Sequence, residues 1–188
     1  MLKKKIVVAI TGASGIIYAV DFLKKLREYP VEIHGIISPW AMENIKIETE
    51  YTVDEICDLF DMLYDVKDMS AKIASGSFLT DSMVVVPASM KTIAGIAHGY
   101  SDSLVGRCAD VMLKEQRKLI LVPRETPLSV IHLENLTKLA KAGAHIIPPI
   151  PGFYNHPKTI DDLVGQLSYK LLDSLGICND YEGRWQGR

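Results

Sequence analysis

Cysteine, basic charge and long apolar runs are all scarce in this chain, and each absence excludes a class of protein. Only three cysteines occur among 188 residues, at Cys57, Cys108 and Cys178, without any CxxC or Cys/His spacing. An odd, widely spaced set favours neither a disulfide framework nor a structural zinc site. The formal net charge of -2 provides no basic field, so nucleic acid is not expected as a partner.

No apolar run approaches the roughly 18 residues of a membrane-spanning helix, so we expect no membrane span. Met1 to Ile10 mimics a signal peptide, because lysines precede apolar residues there. The run breaks at Thr11-Gly12, however, and resumes with helical spacing, which indicates a strand with a solvated start. We therefore expect a cytoplasmic protein. The histidines fall at unrelated spacings, so a Ser/His/Asp triad is not supported.

Short β-branched strands alternate with amphipathic helices along the chain. This alternation predicts an α/β fold with a doubly wound, mainly parallel sheet and helices on both faces, a Rossmann-like three-layer sandwich. We find no linker, so residues 1–188 are interpreted as a single domain with a C-terminal tail near Trp185. The segment from Tyr64 to Thr80 is the least regular, and Ser70 to Ser77 within it is predicted to be a long loop with one turn of helix. The predicted strands are Lys5 to Ile10, Val31 to Ile37, Ser82 to Val86, Leu119 to Val122 and Ala144 to Ile147.

The clearest passage from strand to turn is KLILVPRETP, Lys118 to Pro127. Arg124 and Glu125 directly follow the buried strand, at the sheet edge where ligands bind in open α/β folds. Thr126 before Pro127 suits a helix start, since it combines a capping hydroxyl with proline at the first helical position. A second candidate start is Ser129. Taken alone, the Arg124-Glu125 dipeptide favours a surface ion pair over a binding site.

Polar residues also follow the other predicted strands, and parallel strands bring them to one edge. We therefore predict a binding site there. TGASG, Thr11 to Gly15, does not match G-x-G-x-x-G, but its amides open onto a helix N-terminus and suit an anion or a polar ring edge. A tight turn that needs glycine is the alternative. The polar residues of this edge are Ser14, Ser38, Ser89, Lys91, Thr92, Arg124, Glu125 and Tyr154.

Two further charged features have two possible explanations each. Arg107 and Lys114 lie seven residues apart on a predicted helix from Ser103 to Gln116, with Asp110 between them. They are either anion ligands or a solvated charge row. Glu48 lies among apolar and hydroxyl residues, and is either an active group or a partner in a loop hydrogen bond.

Taken together, the motifs resemble the UbiX-like flavin prenyltransferases over nearly the whole chain, most closely the branch associated with hydroxyarylic acid decarboxylases. The resemblance implies an FMN-binding, homo-oligomeric, typically dodecameric flavoprotein that needs no metal. Such enzymes join a dimethylallyl group from dimethylallyl phosphate to N5 and C6 of reduced FMN, for use by a UbiD-like decarboxylase. The motifs are TGASG, SPWA, IETE, SGSF, PASMKT, ADVMLKE, LVPRETPL, IHLEN, PPIPGFYNHP and RWQG.

The resemblance also implies roles for individual residues. Ser14 and Glu48 are expected near the reacting N5, and Glu125 is expected to handle protons through the prenyl phosphate. Lys114, Arg124, Tyr154 and Lys170 are expected to hold that phosphate. The residues expected to contact FMN are Gly12, Ala13, Ser14, Ser38, Ser89, Met90, Lys91, Thr92 and Arg124, with Arg107 close by.

Two positions depart from the family pattern. Ala88 stands where members often have cysteine, which argues against an essential thiol, and Lys170 stands where arginine is common. A lysine retains the charge but loses the bidentate fork of arginine. Two other functions stay open at this point: an enzyme similar to the FMN-dependent cysteine decarboxylases, and a non-catalytic flavin carrier subunit of a decarboxylase.

Overall fold

The computed structural model describes residues 3–185 and 187, in which strands and helices alternate. The strands are β1 (Lys4–Ile10), β2 (Val31–Ile37), β3 (Met62–Tyr64), β4 (Ser82–Ala88), β5 (Lys118–Pro123) and β6 (His145–Ile146). The helices are α1 (Ile16–Leu26), α2 (Pro39–Glu48), α3 (Val53–Cys57), α4 (Met90–Ala97), α5 (Leu104–Lys114), α6 (Val130–Lys141) and α7 (Ile160–Ser174), with a 3₁₀ turn at Lys72–Ala74.

The strands form one six-stranded sheet in the order β3-β2-β1-β4-β5-β6, and every neighbouring pair is parallel. This confirms the predicted doubly wound α/β fold. The strand order reverses between β1 and β4, which are hydrogen-bonded neighbours. Ligands bind at such a switch point in open α/β sheets. TGASG (Thr11 to Gly15) follows β1, and SMKT (Ser89 to Thr92) follows β4. The residues predicted to bind a ligand after these two strands therefore lie side by side there.

Both faces of the sheet are covered, which explains the unbroken apolar runs of its central strands. Along β1, Ile6, Val8 and Ile10 pack into the layer that contains α1 and α7. Val7 and Ala9 point the opposite way, into the layer that contains α4 and α5. All five residues are fully buried. In the described part of the chain, no helix is both long and apolar enough to cross a membrane.

One strand was not predicted, and one of the two candidate helix starts was wrong. β3 ends at Tyr64, where the irregular segment begins; its Met62 and Leu63 are exposed at the sheet edge, so it lacks the apolar signature of a buried strand. Helix α6 does not begin at Thr126-Pro127. The Ser129 hydroxyl accepts the His132 N–H at 3.2 Å, and the Ser129 N–H donates to Nδ1 of His132 at 3.3 Å. This reciprocal cap fixes the helix start at Val130.

Candidate functional site

Thr11 ties the ends of the two central strands together. Its hydroxyl donates to the Pro87 carbonyl at 2.8 Å and accepts the Ser89 N–H at 2.8 Å. The side chain is 2% exposed, so both of its hydrogen bonds are shielded from water. Thr11 therefore sets the distance between TGASG and SMKT. Sequence reasoning did not select it, although a hydroxyl at the end of an apolar strand is a usable signal.

The TGASG turn is built against two neighbours. A Cβ added to Gly12 would lie 2.4 Å from Cβ of Trp40, so only glycine fits beneath that indole. Gly15 has φ +103°, a left-handed conformation that favours glycine. Both explanations of the turn therefore hold in part, because its glycines are needed for backbone reasons and it also opens onto α1. Trp40 itself is 73% exposed, so this edge also presents an aromatic side chain.

Glu48 lies at the N-terminus of α1. Its Oε2 accepts the N–H of Gly15 at 2.7 Å and the N–H of Ile16 at 3.0 Å. Glu48 thus acts as a hydrogen-bond acceptor in the structure. The turn that it binds lies 33 residues away along the chain, and is not its own loop. The carboxylate occupies part of the anion-binding potential of TGASG. Ser14 directly precedes the two residues that Glu48 holds; a joint role of Ser14 and Glu48 stays a prediction.

Arg124 joins the end of β5 to the same turn. Its Nε donates to the Ser14 carbonyl at 3.1 Å, and its Cγ lies 4.0 Å from a Cβ built on Gly15. Within residues 3–185 and 187, the terminal nitrogens of this guanidinium make no protein hydrogen bond. Arg124 and Glu125 do not pair with each other there; Glu125 is exposed and accepts the Thr126 N–H at 2.9 Å. The surface ion pair considered above is therefore not formed.

Two serine hydroxyls cap the helices that follow β2 and β4. Ser38 accepts the Ala41 N–H at 3.2 Å at the start of α2. Ser89 accepts the Thr92 N–H at 3.3 Å at the start of α4. Helix N-termini carry partial positive charge, so this edge favours an anionic group. Ala13 is buried in the TGASG turn, Met90 is half-buried, and Lys91 is exposed with Nζ 4.0 Å from Asp102.

A cavity of about 610 Å³ opens beside this edge and brings Tyr154 and Lys170 together. Its walls come from the Pro148 to Gly152 crossing, from α7 and from the C-terminal tail. Tyr18 on α1 also lines it, and the Tyr18 ring lies 3.0 Å from a Cβ built on Gly15. Since Arg124 contacts the same turn, the cavity and the strand-end site adjoin one another.

Arg107 and Lys114 lie apart from this constellation in a single chain. Arg107 bonds the Ala74 carbonyl at 3.0 Å and Asp110 at 2.9 Å, so the predicted charge row exists. Lys114 ends α5 and pairs with Glu115, whose pKa its hydrogen bond lowers. This pair precedes β5, whereas Arg124 follows it. The six extended residues of β5 span about 20 Å. Lys114 therefore lies near the amino ends of the strands, and Arg124 lies at their carboxyl ends.

Cysteine nucleophiles and metal clusters are not evident at the edge. Burial raises the pKa of Cys108 to about 12, so its thiol stays protonated at neutral pH, and its sulfur donates to the Ile73 carbonyl. Ala88, the position where cysteine is common in the family, is fully buried at the end of β4. Among the described residues, no group of three or more His, Cys, Asp and Glu side chains is placed to hold a metal ion.

Comparisons with known proteins agree with this geometry. The family model described as Flavoprotein matches residues 1–169. "Flavin prenyltransferase LpdB" of Lactiplantibacillus plantarum is 61% identical over 185 residues, 98% of this chain and 99% of that protein. The crystal structure of a "dodecameric FMN-dependent Ubix-like Decarboxylase" from Escherichia coli O157:H7 superposes with TM-score 0.95 at 51% identity, covering 97% of this chain and 100% of that one.

A further solved structure, that of "AnUbiX (PadA1) in complex with FMN and dimethylallyl pyrophosphate", superposes with TM-score 0.94 at 45% identity, covering both chains completely (100% and 100%). Its two ligands are a flavin nucleotide and a prenyl diphosphate.

Proposed function

Because the chain belongs to the flavoprotein family and within it to the UbiX-like flavin prenyltransferases, we propose that it joins a dimethylallyl group from dimethylallyl phosphate to N5 and C6 of reduced FMN. The observation that carries this proposal is the position of Arg124. It contacts the TGASG turn, leaves its terminal nitrogens free of protein hydrogen bonds in the described part of the chain, and adjoins the cavity of Tyr154 and Lys170.

The strand-end residues suit FMN. The capped N-termini of α2 and α4 favour a phosphate, and the small residues of TGASG leave room for a ring edge. We propose that residues 1–188 act as a single FMN-binding domain with a C-terminal tail. Reduced FMN supplies the nucleophilic N5 and C6 atoms. The residues proposed to hold it are Gly12, Ala13, Ser14, Ser38, Ser89, Met90, Lys91, Thr92 and Arg124, with Arg107.

Arg124, Tyr154 and Lys170 are proposed to hold the prenyl phosphate. Breaking an allylic C–O bond leaves negative charge on the phosphate, and fixed cations stabilise that charge as it develops. The positive charge left on the allyl group is stabilised by aromatic faces. Tyr18, Tyr154 and Tyr169 line the cavity and supply such faces. Because the phosphate is the leaving group, no nucleophilic side chain is needed.

Glu125 is proposed to accept the proton that must leave C6, relayed by the departing phosphate. The residue is exposed directly after Arg124, so a phosphate held by Arg124 lies beside its carboxylate. Glu48 and Ser14 act at the other end of the site. Glu48 fixes the amides of Gly15 and Ile16, and this orients the turn that would face N5.

A homo-oligomer, dodecameric as in the structural relative, is part of the proposal. Lys114 lies at the sheet edge opposite Arg124, so any contribution of Lys114 to the phosphate site must come from a neighbouring copy. We also propose that a UbiD-like decarboxylase receives the product. A cytoplasmic location is supported by the three cysteines, which are free thiols in the structure.

The test is the mass of the flavin extracted after anaerobic incubation of the protein with reduced FMN and dimethylallyl phosphate. We expect a mass higher by one prenyl group, and no change when oxidised FMN replaces reduced FMN. An unshifted flavin in the presence of an active reference enzyme would reject the proposal. It would leave a cysteine decarboxylase-like enzyme or a non-catalytic flavin carrier as the remaining functions.

A further inference from the structure

Lys170 has a natural partner that it does not use. Lys170 and Asp173 lie three residues apart on α7, and both line the cavity. Side chains at this spacing are neighbours on a helix surface, so a lysine and an aspartate there ordinarily attract each other. Within the described ranges, 3–185 and 187, Lys170 nevertheless makes no ion pair. Its ammonium therefore remains available on the cavity wall.

Asp173 forms its ion pair with Arg184 of the C-terminal tail instead. The two terminal nitrogens of Arg184 donate to the two carboxylate oxygens, at 2.7 Å and 2.6 Å. Asn179 completes the network, since it donates to Asp173 at 2.8 Å and accepts from Arg184 at 2.8 Å. The pKa of Asp173 lies below its usual value, chiefly because of the hydrogen bonds from Arg184; the hydrogen bond from Asn179 and the charge of Lys170 lower it further. A fork-to-fork pair of this kind fixes geometry as well as charge.

We propose that Arg184 is a positioning residue: by holding both oxygens of Asp173, it keeps that carboxylate from neutralising Lys170, whose ammonium then binds the substrate phosphate. The inference rests on the proposed function, in which Lys170 contacts a prenyl phosphate. Lysine offers a single point charge where arginine offers five donors in a fork. Pairing with Asp173 would therefore remove most of what Lys170 contributes.

The same bond also positions the next residue. Trp185 packs edge-to-face on Tyr154, with ring centroids 6.0 Å apart, at the mouth of the cavity. Loss of the Arg184–Asp173 pair thus has two separable consequences: Asp173 becomes free to pair with Lys170, and Trp185 loses its fixed position on Tyr154. Removing the Asp173 carboxylate together with the Arg184 guanidinium leaves Lys170 unpaired again, but does not restore the position of Trp185.

The experiment titrates FMN-loaded protein with inorganic phosphate at low ionic strength and measures KM for dimethylallyl phosphate in parallel. Arg184→Gln should weaken phosphate binding by about fivefold, the effect of one well-formed surface pair. The double variant Asp173→Asn/Arg184→Gln should bind within about twofold of wild type, because no carboxylate is left to capture Lys170. Asp173→Asn alone should bind as tightly as wild type or more tightly.

Two controls make the result specific. In a Lys170→Gln background, Arg184→Gln should have no further effect on phosphate binding, since the ammonium it protects is gone. Arg27→Gln removes a matched exposed arginine, ion-paired with Asp61, and should change nothing. An unchanged Arg184→Gln, or a double variant as weak as the single one, would overturn the inference. Phosphate titration needs no prenyl transfer, so an unmodified flavin in wild type would reject the proposed function alone.

Discussion

Thr11 is the residue on which the geometry of the strand-end site depends most directly. Its single buried hydroxyl bonds both the Pro87 carbonyl and the Ser89 N–H. Two strand ends are thereby held in one arrangement, and the turns that follow them are held too. A change of this hydroxyl should therefore affect both stability and flavin binding.

Replacing Thr11 by valine keeps the volume but leaves the Ser89 N–H without its acceptor, and leaves the Pro87 carbonyl with only the backbone N–H of residue 11, at 3.3 Å. We expect Thr11→Val to lower the free energy of unfolding by about 1–3 kcal/mol, the cost of leaving a polar group inside the fold without its hydrogen bond. FMN affinity should fall as well. Thr11→Ser retains the hydroxyl and is the matched control. Urea unfolding measures the first effect and flavin fluorescence titration the second; equal stability of the valine and serine variants would contradict this account.

Glu125 separates binding from chemistry. Its only hydrogen bond among the described residues is local, to the Thr126 N–H, so removing its charge should not disturb the fold. Glu125→Gln should keep FMN affinity but slow prenylation by about a hundredfold or more, since a positioned proton acceptor contributes on that scale. Glu134→Gln, an exposed carboxylate of α6, is the control. Full activity of Glu125→Gln in single-turnover assays would remove Glu125 from the mechanism.

At the scale of elements, the β2–β3 edge carries a buried titratable group. His34 of β2 is fully buried, with Nδ1 2.9 Å from the Tyr64 hydroxyl of β3. Its Nε2 lies 2.9 Å from Glu32, without the alignment of a hydrogen bond. Burial lowers the pKa of His34; the charge of Glu32 opposes this shift, and those of Lys72 and Lys5 reinforce it.

A lowered pKa predicts a loss of stability on acidification. As pH falls through about 6.5, His34 of the unfolded chain takes up a proton that the folded chain excludes, so the unfolded state is favoured. Urea unfolding between about pH 7.5 and about pH 5 should show a steeper loss for wild type than for His34→Gln. Both proteins contain the same carboxylates, so the contribution of those groups to the pH dependence of stability cancels in this comparison. Parallel pH profiles would show that His34 plays no part.

The helices and strands that could be predicted are those whose sequence pattern lies within the element itself. β1, β2 and β5 are buried on both faces, and their apolar runs identify them without tertiary knowledge. β3 could not be found, because only three residues form it, two of them exposed, and its strand character comes only from pairing with β2. The start of α6 was ambiguous for a similar reason: two local caps competed, and the reciprocal Ser129–His132 bonds decided it.

The site was predictable to the extent that topology sets it. Carboxyl ends of parallel strands meet at one edge, and this brought Ser14, Ser89 and Arg124 together as expected. The partner of Glu48 was not predictable, since the amides that it binds lie far away in sequence. The contact of Trp40 with Gly12 was not predictable either, because it exists only after α1 and α2 have packed.

At the scale of the whole molecule, the proposed homo-oligomer and the separation of Lys114 from Arg124 predict a site shared between copies. Lys114→Ala and Lys170→Ala should each be poorly active alone. Oligomers assembled from an equal mixture should regain activity, in about one quarter of the sites if assembly is random. Recovery follows because some sites then combine an intact Lys114 from one copy with an intact Lys170 from another.

The control for this complementation is a mixture of Lys170→Ala with Tyr154→Phe. Both residues line the same cavity of one chain, so mixing them should restore nothing. A mixture of Lys114→Ala and Lys170→Ala that is no more active than its components would place both lysines in sites of the same copy, or remove Lys114 from the site.

The most direct test of the central claim is to locate the new bonds in the flavin. Isotopically labelled dimethylallyl phosphate would be incubated anaerobically with reduced FMN and the wild-type protein, and the extracted flavin examined by NMR. The account predicts that one labelled prenyl unit is bonded to both N5 and C6, closing a fourth ring. Unmodified FMN together with intact labelled phosphate would contradict it.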